Sequence, residues 1–286
     1  ELAHLVSLYR PRLVLVDHTP QGKHRELVPA LTADGGEDTL WLLGVRGVIG
    51  AVKQARSALA GNLFRDHYHA LLWYGDSSVL GHAHCAQLQQ QYNTVPVECG
   101  YVLRLAEFSH WNGRRQLGVE EAIAGTISIP WLGEKTMGFL TVLARVLPKI
   151  SRSFGIWRLF IDTDSSSGAG QKIGELFGEK NNCRLEPPGG RYAPALLGSK
   201  TAVIYGGYNS LMDVIFAQIP AVVILREMQD EEQQLHLQKL KEAVGDALVT
   251  VSETKVSAKE LEKLLLANLQ SDRIVPACLN TSGAAS

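Results

Sequence analysis

The chain has 286 residues, 45% hydrophobic and 20% charged, with a formal net charge of −1 at pH 7. At roughly 100–200 residues per domain this length favours two domains, and the apolar content is ample for large cores, which excludes a disordered chain. The balanced charge excludes any composition-level case for a nucleic-acid binder or a polybasic membrane-surface protein. Four cysteines without a C-x-x-C pair are typical of neither a disulfide scaffold nor a zinc site, and they favour a reducing cytoplasmic location.

Short apolar runs alternate with longer helical patterns, which is typical of βαβ units and a mostly parallel sheet. In the first half the pattern predicts helices at residues 1–9, 26–33, 48–60 and 81–92, and strands at 12–17, 39–45, 69–74 and 95–101. Because the chain begins at Glu1 inside a predicted helix, we expect an N-terminal segment to be missing and the first domain to be incomplete. No apolar run approaches the roughly 18–20 residues that span a bilayer, and we expect no transmembrane segment.

A polar stretch at 108–118 fits neither periodicity and predicts a linker or surface loop. Beyond it the alternation restarts, with strands predicted at 125–130, 157–162, 183–186, 202–205 and 221–225, and helices at 135–154, 170–177, 192–197, 208–217, 231–243 and 258–268. We therefore expect two α/β domains, at 1–120 and 121–270, followed by a flexible tail at 271–286.

The most informative segment runs from Ala202 to Leu240 and reads as strand, Gly206-Gly207, helix, turn, strand, acidic loop and helix. Two residues without a Cβ let the backbone approach a ligand closely. The helix that starts near Tyr208 directs free N–H groups into the same crevice, which is how phosphate groups bind at helix N-termini.

Three polar residues follow the two glycines on this predicted helix. Asn209 and Ser210 can cap it or donate hydrogen bonds, and Asp213, one to two turns in, can accept hydrogen bonds from a ribose diol. The alternative is an ordinary tight turn with Asp213 on the surface.

This segment resembles the donor-binding half of GT-B glycosyltransferases, particularly the family 28 group that includes the GlcNAc transferase of peptidoglycan lipid synthesis. That group has a Gly, a Ser/Thr, a Glu six residues after the Gly, Gly-x-Pro, a strand and an acidic-x-Gln loop. The matching positions here are Gly207, Ser210, Asp213, Ile219-Pro220, 221–225 and Glu232-Gln233. The resemblance implies that Asp213, one methylene shorter than the family's Glu, holds the ribose, and that Glu232 and Gln233 contact the donor sugar.

A second resemblance covers nearly the whole chain in the right order. The segments L-V-D-H-T-P-Q-G-K-H-R-E-L, L-L-G-V-R, L-W-Y-G-D and C-G-Y-V, which begin at Leu15, Leu42, Leu72 and Cys99, are similar to the bacterial "predicted glycosyltransferase" group. Both resemblances imply the same fold class: α/β, GT-B, with two Rossmann-like domains whose mostly parallel sheets face a cleft.

The sequence departs from these families at two loops. The glycine-rich loop that opens the donor domain is reduced to Gly133 in Ser128–Thr136, with Pro130 and Trp131 in place of a flexible cradle. Lys135 or Thr136 can compensate as phosphate donors at a helix start. The Gly/His-rich loop that follows the family's first strand has no counterpart before Asp17.

Sugar transfer needs a base near the acceptor hydroxyl and stabilisation of the leaving diphosphate, and no metal is needed if helix and loop donors provide the latter. Asp17 and His18 end a predicted strand, where open α/β sheets place ligands, so we expect His18, oriented by Asp17, to be the base. The alternative is that His18 caps a turn with Thr19-Pro20, and that the base is the family's usual loop histidine on the missing N-terminal segment. Glu26 and Arg46 are candidates for holding the acceptor, and the loop 186–191 for contacting the nucleotide base.

The sequence thus predicts a metal-independent transferase that takes a nucleotide-diphosphate sugar, UDP-linked, as substrate, with no cofactor and an unidentified acceptor. Two alternatives stay open. One is a nucleotide-sugar epimerase or hydrolase of the same fold, and the other is a non-catalytic nucleotide-sugar-binding protein, which the altered loop at 129–133 favours.

Overall fold

A computed structural model describes residues 1–33, 39–47, 57–105, 122–162, 167–178, 182–226, 232–271 and 279–280. The chain divides into two compact units. Unit 1 comprises residues 1–102, 230–240 and 278–286, and unit 2 comprises residues 103–229 and 241–277. The predicted linker at 108–118 lies outside the described residues.

Unit 1 contains a parallel sheet of β1 (Leu13–Asp17), β2 (Leu40–Arg46), β3 (Ala70–Tyr74) and β4 (Val97–Glu98), in that order. Its helices are α1 (Leu2–Tyr9), α2 (Val28–Leu31), α3 (Ala58–His67), α4 (Ser77–Leu80) and α5 (Ala83–Tyr92).

The strand order of unit 1 follows the chain order, which decides where its helices lie. Right-handed crossovers that all proceed in one direction place every connecting helix on the same face of the sheet. Trp41, Leu43 and Val45 of β2 are accordingly buried on one face. On the other face Leu13 and Leu15 are about half exposed, at 50% and 53%.

Unit 2 contains a six-stranded parallel sheet in the order β10-β9-β8-β5-β6-β7. The strands are β5 (Ile123–Ile129), β6 (Ile156–Ile161), β7 (Cys183–Glu186), β8 (Ser199–Tyr205), β9 (Ala221–Leu225) and β10 (Leu248–Ser252). The helices are α6 (Glu134–Val146), α7 (Gly168–Phe177), α8 (Tyr192–Gly198), α9 (Tyr208–Ala217), α10 (Glu232–Val244) and α11 (Ala258–Gln270); most of α10 is counted with unit 1.

The chain reverses direction across the unit 2 sheet between β5 and β8. It proceeds from β5 to β7 on one side and then returns to β8 on the other side of β5, so helices cover both faces. Ile127, Trp157 and Val203 are fully buried in the resulting core. Open α/β sheets bind ligands beyond the carboxyl ends of the strands at such a reversal, so a ligand is expected at the ends of β5 and β8.

Several predicted elements match the structure residue for residue, among them β7, α9 and β9, and others need correction. The predicted helix 135–154 is wrong beyond Val146, because Pro148 cannot continue an α-helix and two 3₁₀ turns follow, at Leu147–Lys149 and Arg152–Phe154. The strand β10 was not predicted.

Three predicted elements of unit 1 are also shifted. The predicted helix 26–33 is reduced to α2, and the predicted strand 95–101 to the two residues of β4. The predicted helix 48–60 falls mostly outside the described residues, whereas α3 begins after Ser57, whose hydroxyl accepts a hydrogen bond from the Ala60 N–H. In the part of the chain that the structure describes, no helix combines the length and apolarity needed to cross a membrane.

Candidate functional site

The glycine pair and the start of α9 lie at the reversal point of the unit 2 sheet. The Gly206 N–H donates to the Ile224 carbonyl at 3.2 Å, which ties the end of β8 to the end of β9. Among the residues that the structure describes, no atom lies within 4 Å of a Cβ placed on Gly207, so they leave the space beside this backbone open. No side chain caps α9, whose N-cap residue is Gly207. First-turn N–H groups of such a helix are suited to an anion, as the sequence predicted.

The predicted donor-binding residues of α9 differ in exposure. Asn209 is exposed and Ser210 half-buried in the first turn. Asp213 is not a surface residue, because only 1% of its side chain is exposed. Contact of these three residues with a donor stays a prediction.

Asp213 is held by Arg104, a residue that the sequence analysis missed. Arg104 Nε donates to Asp213 Oδ1 at 2.9 Å and to Oδ2 at 3.1 Å, and its Nη2 also binds Oδ2. The guanidinium lies over the Tyr192 ring, 5.5 Å from its centroid. Because 55% of the Arg104 side chain and only 1% of the Asp213 side chain is exposed, it is the cation of this pair that faces solvent.

Burial and pairing act in opposite directions on this ion pair. Burial raises the pKa of Asp213 above its ordinary value, and the hydrogen bonds and charge of Arg104 offset only part of this rise. The hydrogen bond to Asp213 raises the pKa of Arg104 in turn. Burial also raises the pKa of the Tyr192 hydroxyl. A buried carboxylate with a half-exposed arginine forms a charge-assisted, two-point contact that fixes the guanidinium in position.

A second polar cluster, the Arg226 cluster, collects one residue from the carboxyl ends of four neighbouring strands. Glu253 follows β10, Arg226 follows β9, Tyr205 ends β8, and Trp131 lies two residues after β5. Thr136, in the first turn of α6, completes the cluster. The sequence analysis assigned no role to Glu253, Arg226 or Tyr205, since only the strand order brings them together.

Hydrogen bonds connect the members of this cluster. Glu253 Oε1 accepts from the hydroxyl of Thr136 at 2.8 Å and from that of Tyr205 at 2.7 Å. Arg226 Nη2 donates to Thr136 Oγ1 at 3.1 Å, and its Nε lies 3.6 Å from Glu253 Oε2. Thr136 is buried and its hydroxyl donates to Glu253, and the expectation that Lys135 or Thr136 donates to a phosphate stays a prediction.

Aromatic rings support the arginine of the cluster. Arg226 Cζ lies 4.1 Å from the Trp131 ring centroid and 5.2 Å from that of Tyr205. Burial raises the pKa of Tyr205, as does its hydrogen bond to Glu253, so this phenol stays protonated at neutral pH. Gly133 is the N-cap of α6 and exposed; its contact with a donor stays a prediction.

In unit 1 the structure brings three predicted residues together. Asp17, His18 and Glu26 line a cavity of about 560 Å³ beside β1. Arg46 Nη2 donates to Asp17 Oδ2 at 2.9 Å, so the fourth predicted residue is adjacent. His18 has a φ of 75°, a left-handed conformation that costs a non-glycine residue roughly 1–2 kcal/mol. Strained backbone of this kind concentrates at functional sites, and the role of His18 as the base stays a prediction.

Glu26 closes a turn at the rim of this cavity. Its carboxylate accepts hydrogen bonds from the backbone N–H groups of Lys23 and His24, at 3.2 and 2.6 Å. Hydrogen bonds from the backbone of Glu26 itself and of His24 hold the pKa of the Glu26 carboxyl below its ordinary value. Gly22, at a φ of 78°, leaves room for this carboxylate, since a Cβ there would lie 2.5 Å from it. The contact of Glu26 with an acceptor stays a prediction.

The remaining predicted positions lie on other elements. Glu232 and Gln233 are the first two residues of α10, and their contact with a donor sugar stays a prediction. In the loop at 186–191, Glu186 is buried and pairs with Arg158 Nε at 2.5 Å. Among the residues that the structure describes, no three His, Cys, Asp or Glu side chains are grouped as ligands of a metal ion.

No protein-family model and no curated protein sequence matches the chain. Solved structures do. The UDP-GlcNAc 2-epimerase of Methanocaldococcus jannaschii, in complex with UDP-GlcNAc and UDP, is similar with a TM-score of 0.59 at 11% identity, over 99% of this chain and 76% of that one. The spinosyn rhamnosyltransferase complexed with thymidine diphosphate is similar with a TM-score of 0.55 at 14% identity, over 94% of this chain and 68% of that one. The glycosyltransferase of kitacinnamycin is similar with a TM-score of 0.55 at 12% identity, over 94% of this chain and 70% of that one.

These likenesses show the GT-B fold, as the sequence resemblance predicted. Proteins of this fold include both glycosyltransferases and UDP-GlcNAc 2-epimerases.

Proposed function

We propose that the protein is a glycosyltransferase that binds a nucleotide-diphosphate sugar, UDP-linked, and transfers the sugar to an acceptor hydroxyl. The observation that carries the proposal is the start of α9 at the strand-order reversal of unit 2, where no described side chain caps the helix and no described atom fills the space beside Gly207. A helix N-terminus in that position supplies N–H donors and a positive dipole end for a diphosphate. Similar solved structures hold UDP, UDP-GlcNAc or thymidine diphosphate, which supports the same ligand class here.

The cavity lined by Asp17, His18 and Glu26 supports the chemistry that we propose for unit 1. His18 removes the proton of the acceptor hydroxyl, whose oxygen then forms the new bond to the anomeric carbon of the sugar. The bond between that carbon and the diphosphate breaks, and the nucleoside diphosphate leaves with the electron pair. This route uses side-chain and backbone donors and needs no metal ion. Asp17, paired with Arg46, orients His18, and Glu26 and Arg46 contact the acceptor.

Donor binding is tested by calorimetric titration of the chain with UDP, GDP and dTDP. We expect one of them to bind saturably and Asp213→Asn to weaken it about tenfold, since a charge-assisted hydrogen bond contributes roughly 1.5–3 kcal/mol. The matched control is Asp246→Asn, an exposed aspartate in the turn before β10. If no nucleotide binds to the wild-type chain, the proposal is wrong. If Asp213→Asn binds the nucleotide as tightly as the wild type does, the ribose assignment is wrong and the proposed function is unaffected.

Turnover separates transfer from the other reactions of this fold. With donor and a panel of hydroxylated acceptors, we expect a glycosylated product, and we expect His18→Gln to lower its formation about 10²–10⁴-fold with donor affinity unchanged. Free sugar or an epimer formed without acceptor would identify a hydrolase or epimerase instead. Donor binding without any product would favour the non-catalytic binding protein.

A further inference from the structure

The Arg226 cluster lies next to the glycine pair. Tyr205, whose ring packs near the Arg226 guanidinium, directly precedes Gly206 in the chain. The Gly206 N–H is bonded to the carbonyl of Ile224, two residues before Arg226. The guanidinium is therefore fixed at the same carboxyl edge of the sheet as the start of α9.

The contacts that Arg226 makes with described residues do not use all of its N–H donors. Of its five N–H donors, the described hydrogen bond to Thr136 uses one, and the ion pair with Glu253 involves Nε. Glu253 is 3% exposed, whereas 27% of the Arg226 side chain is exposed. A buried carboxylate that fixes a partly exposed guanidinium keeps the planar fork oriented, which suits two-point recognition of phosphate oxygens.

Trp131 supports this arrangement from the loop after β5. Its ring, itself exposed, packs 4.1 Å from Arg226 Cζ, and such cation–π contacts stabilise a guanidinium in one orientation. In this loop, where the resembling families have consecutive glycines, the chain has Pro130 and Trp131. Where the families have glycines whose backbone contacts the ligand, this chain thus has the Trp131 ring, on which the Arg226 guanidinium packs.

We propose that Arg226, resting on Trp131 and ion-paired to Glu253, binds the diphosphate of the nucleotide-sugar donor in place of a glycine-rich loop. This inference rests on the proposed function and names the residue that neutralises the leaving group. A guanidinium at this position stabilises the negative charge that develops as the nucleoside diphosphate departs.

The test is a calorimetric titration of wild-type chain, Arg226→Gln, Arg226→Lys and Arg152→Gln with UDP and with inorganic pyrophosphate alone. Arg152 is the matched control, because it is exposed in the turn before β6, at the amino ends of the strands of the same sheet. Its substitution changes the net charge by the same amount. We expect Arg226→Gln to weaken both ligands about 10–100-fold, Arg226→Lys to weaken them less, and Arg152→Gln to bind as wild type.

The outcomes separate this inference from the proposed function. If UDP binds wild type and Arg226→Gln equally, the role of Arg226 is wrong and the proposed function stands. If wild type binds neither pyrophosphate nor any of UDP, GDP and dTDP, both are wrong. If Arg226→Gln fails to fold, Arg226→Lys decides, since it keeps the charge and loses the fork: equal affinity of Arg226→Lys and wild type for UDP and pyrophosphate would overturn two-point recognition.

Discussion

The two sheets of this chain are both parallel, yet they differ in how they are covered. In unit 1 the strands follow one another in chain order, and Leu13, Leu15 and Leu40 remain about half exposed on one face. In unit 2 the order reverses between β5 and β8, helices cover both faces, and the central strands are buried. Parallel sheets ordinarily have both faces covered, so unit 1 is the exception.

The difference teaches that strand order decides where polar groups can be fixed. The reversal in unit 2 brings the starts of α6 and α9 together with the ends of four strands, and there two arginines pair with carboxylates that are at most 3% exposed. Unit 1 has no reversal among its described strands, and its pair Asp17–Arg46 lies in solvent at the end of an edge strand. Breaking an ion pair whose carboxylate is buried costs more free energy of unfolding than breaking a solvent-exposed one, so the difference between the two units can be tested by mutation.

The largest effect is expected in the covered core of unit 2. Leu140 on α6 is fully buried, so Leu140→Ala removes packed methyl groups and leaves a cavity, at a cost of about 2–5 kcal/mol. Leu15→Ala on the open face of unit 1 is the matched control and should cost well under about 1 kcal/mol, since Leu15 is half exposed. Urea denaturation measures both, with hydrogen exchange of the sheet peptides to assign each loss to its unit. Equal costs would show that the open face of unit 1 is covered in solution.

An intermediate effect is expected when a buried carboxylate loses its partner. Arg104→Met leaves Asp213 buried and unpaired, which costs roughly 1–3 kcal/mol at neutral pH. Burial already raises the pKa of Asp213 in the folded protein, and without the hydrogen bonds and charge of Arg104 this pKa rises further. A raised pKa means that the folded protein holds the proton of Asp213 more tightly than the unfolded chain does. The loss of stability in Arg104→Met is therefore small below pH 3.8, the ordinary pKa of the group, and grows as the pH rises through the raised pKa of the folded state.

Denaturation of Arg104→Met and wild type at about pH 4 and about pH 7 measures this dependence. A difference between the two proteins that is the same at both pH values would contradict the pairing of Arg104 with a buried, ionised Asp213.

The smallest effect is expected at the exposed pair of unit 1. Both partners are in solvent, with 39% of the Arg46 side chain and 60% of that of Asp17 exposed. Arg46→Met should therefore cost at most about 1 kcal/mol, and its effect should weaken further in added salt. The measurement is the same denaturation at low and high ionic strength. A cost as large as that of Arg104→Met would mean that Asp17 is shielded from solvent, which would remove the contrast between the two units.

The sequence predicted much of the local structure. The limits of α9 and β9 follow from Gly207, from Gln218 in a left-handed conformation, and from Pro220 before a β-branched run. It did not predict β10, where Leu248–Ser252 has no regular alternation and only two of the five side chains are buried. The predicted helix 26–33 is shortened where the Glu26 carboxylate accepts hydrogen bonds from the backbone before α2, and the predicted helix 135–154 ends early because of Pro148.

The candidate site was predicted only in part. Gly206, Gly207 and Asp213 are separated by a few residues on one strand–helix unit, so spacing alone revealed their relation. Asp17 and His18 ended up in one cavity with Glu26 for the same reason, since one strand and the turn after it carry all three.

By itself, then, the sequence determined the alternation of strands and helices, the fold class and the glycine-led start of α9, because these depend on residues close together in the chain. Only the tertiary structure decided that Arg104 holds Asp213 from 109 residues away, and that Arg226, Glu253, Tyr205 and Trp131 meet. Those partners lie on elements whose neighbourhood is fixed by strand order, and strand order is set by packing over the whole sheet.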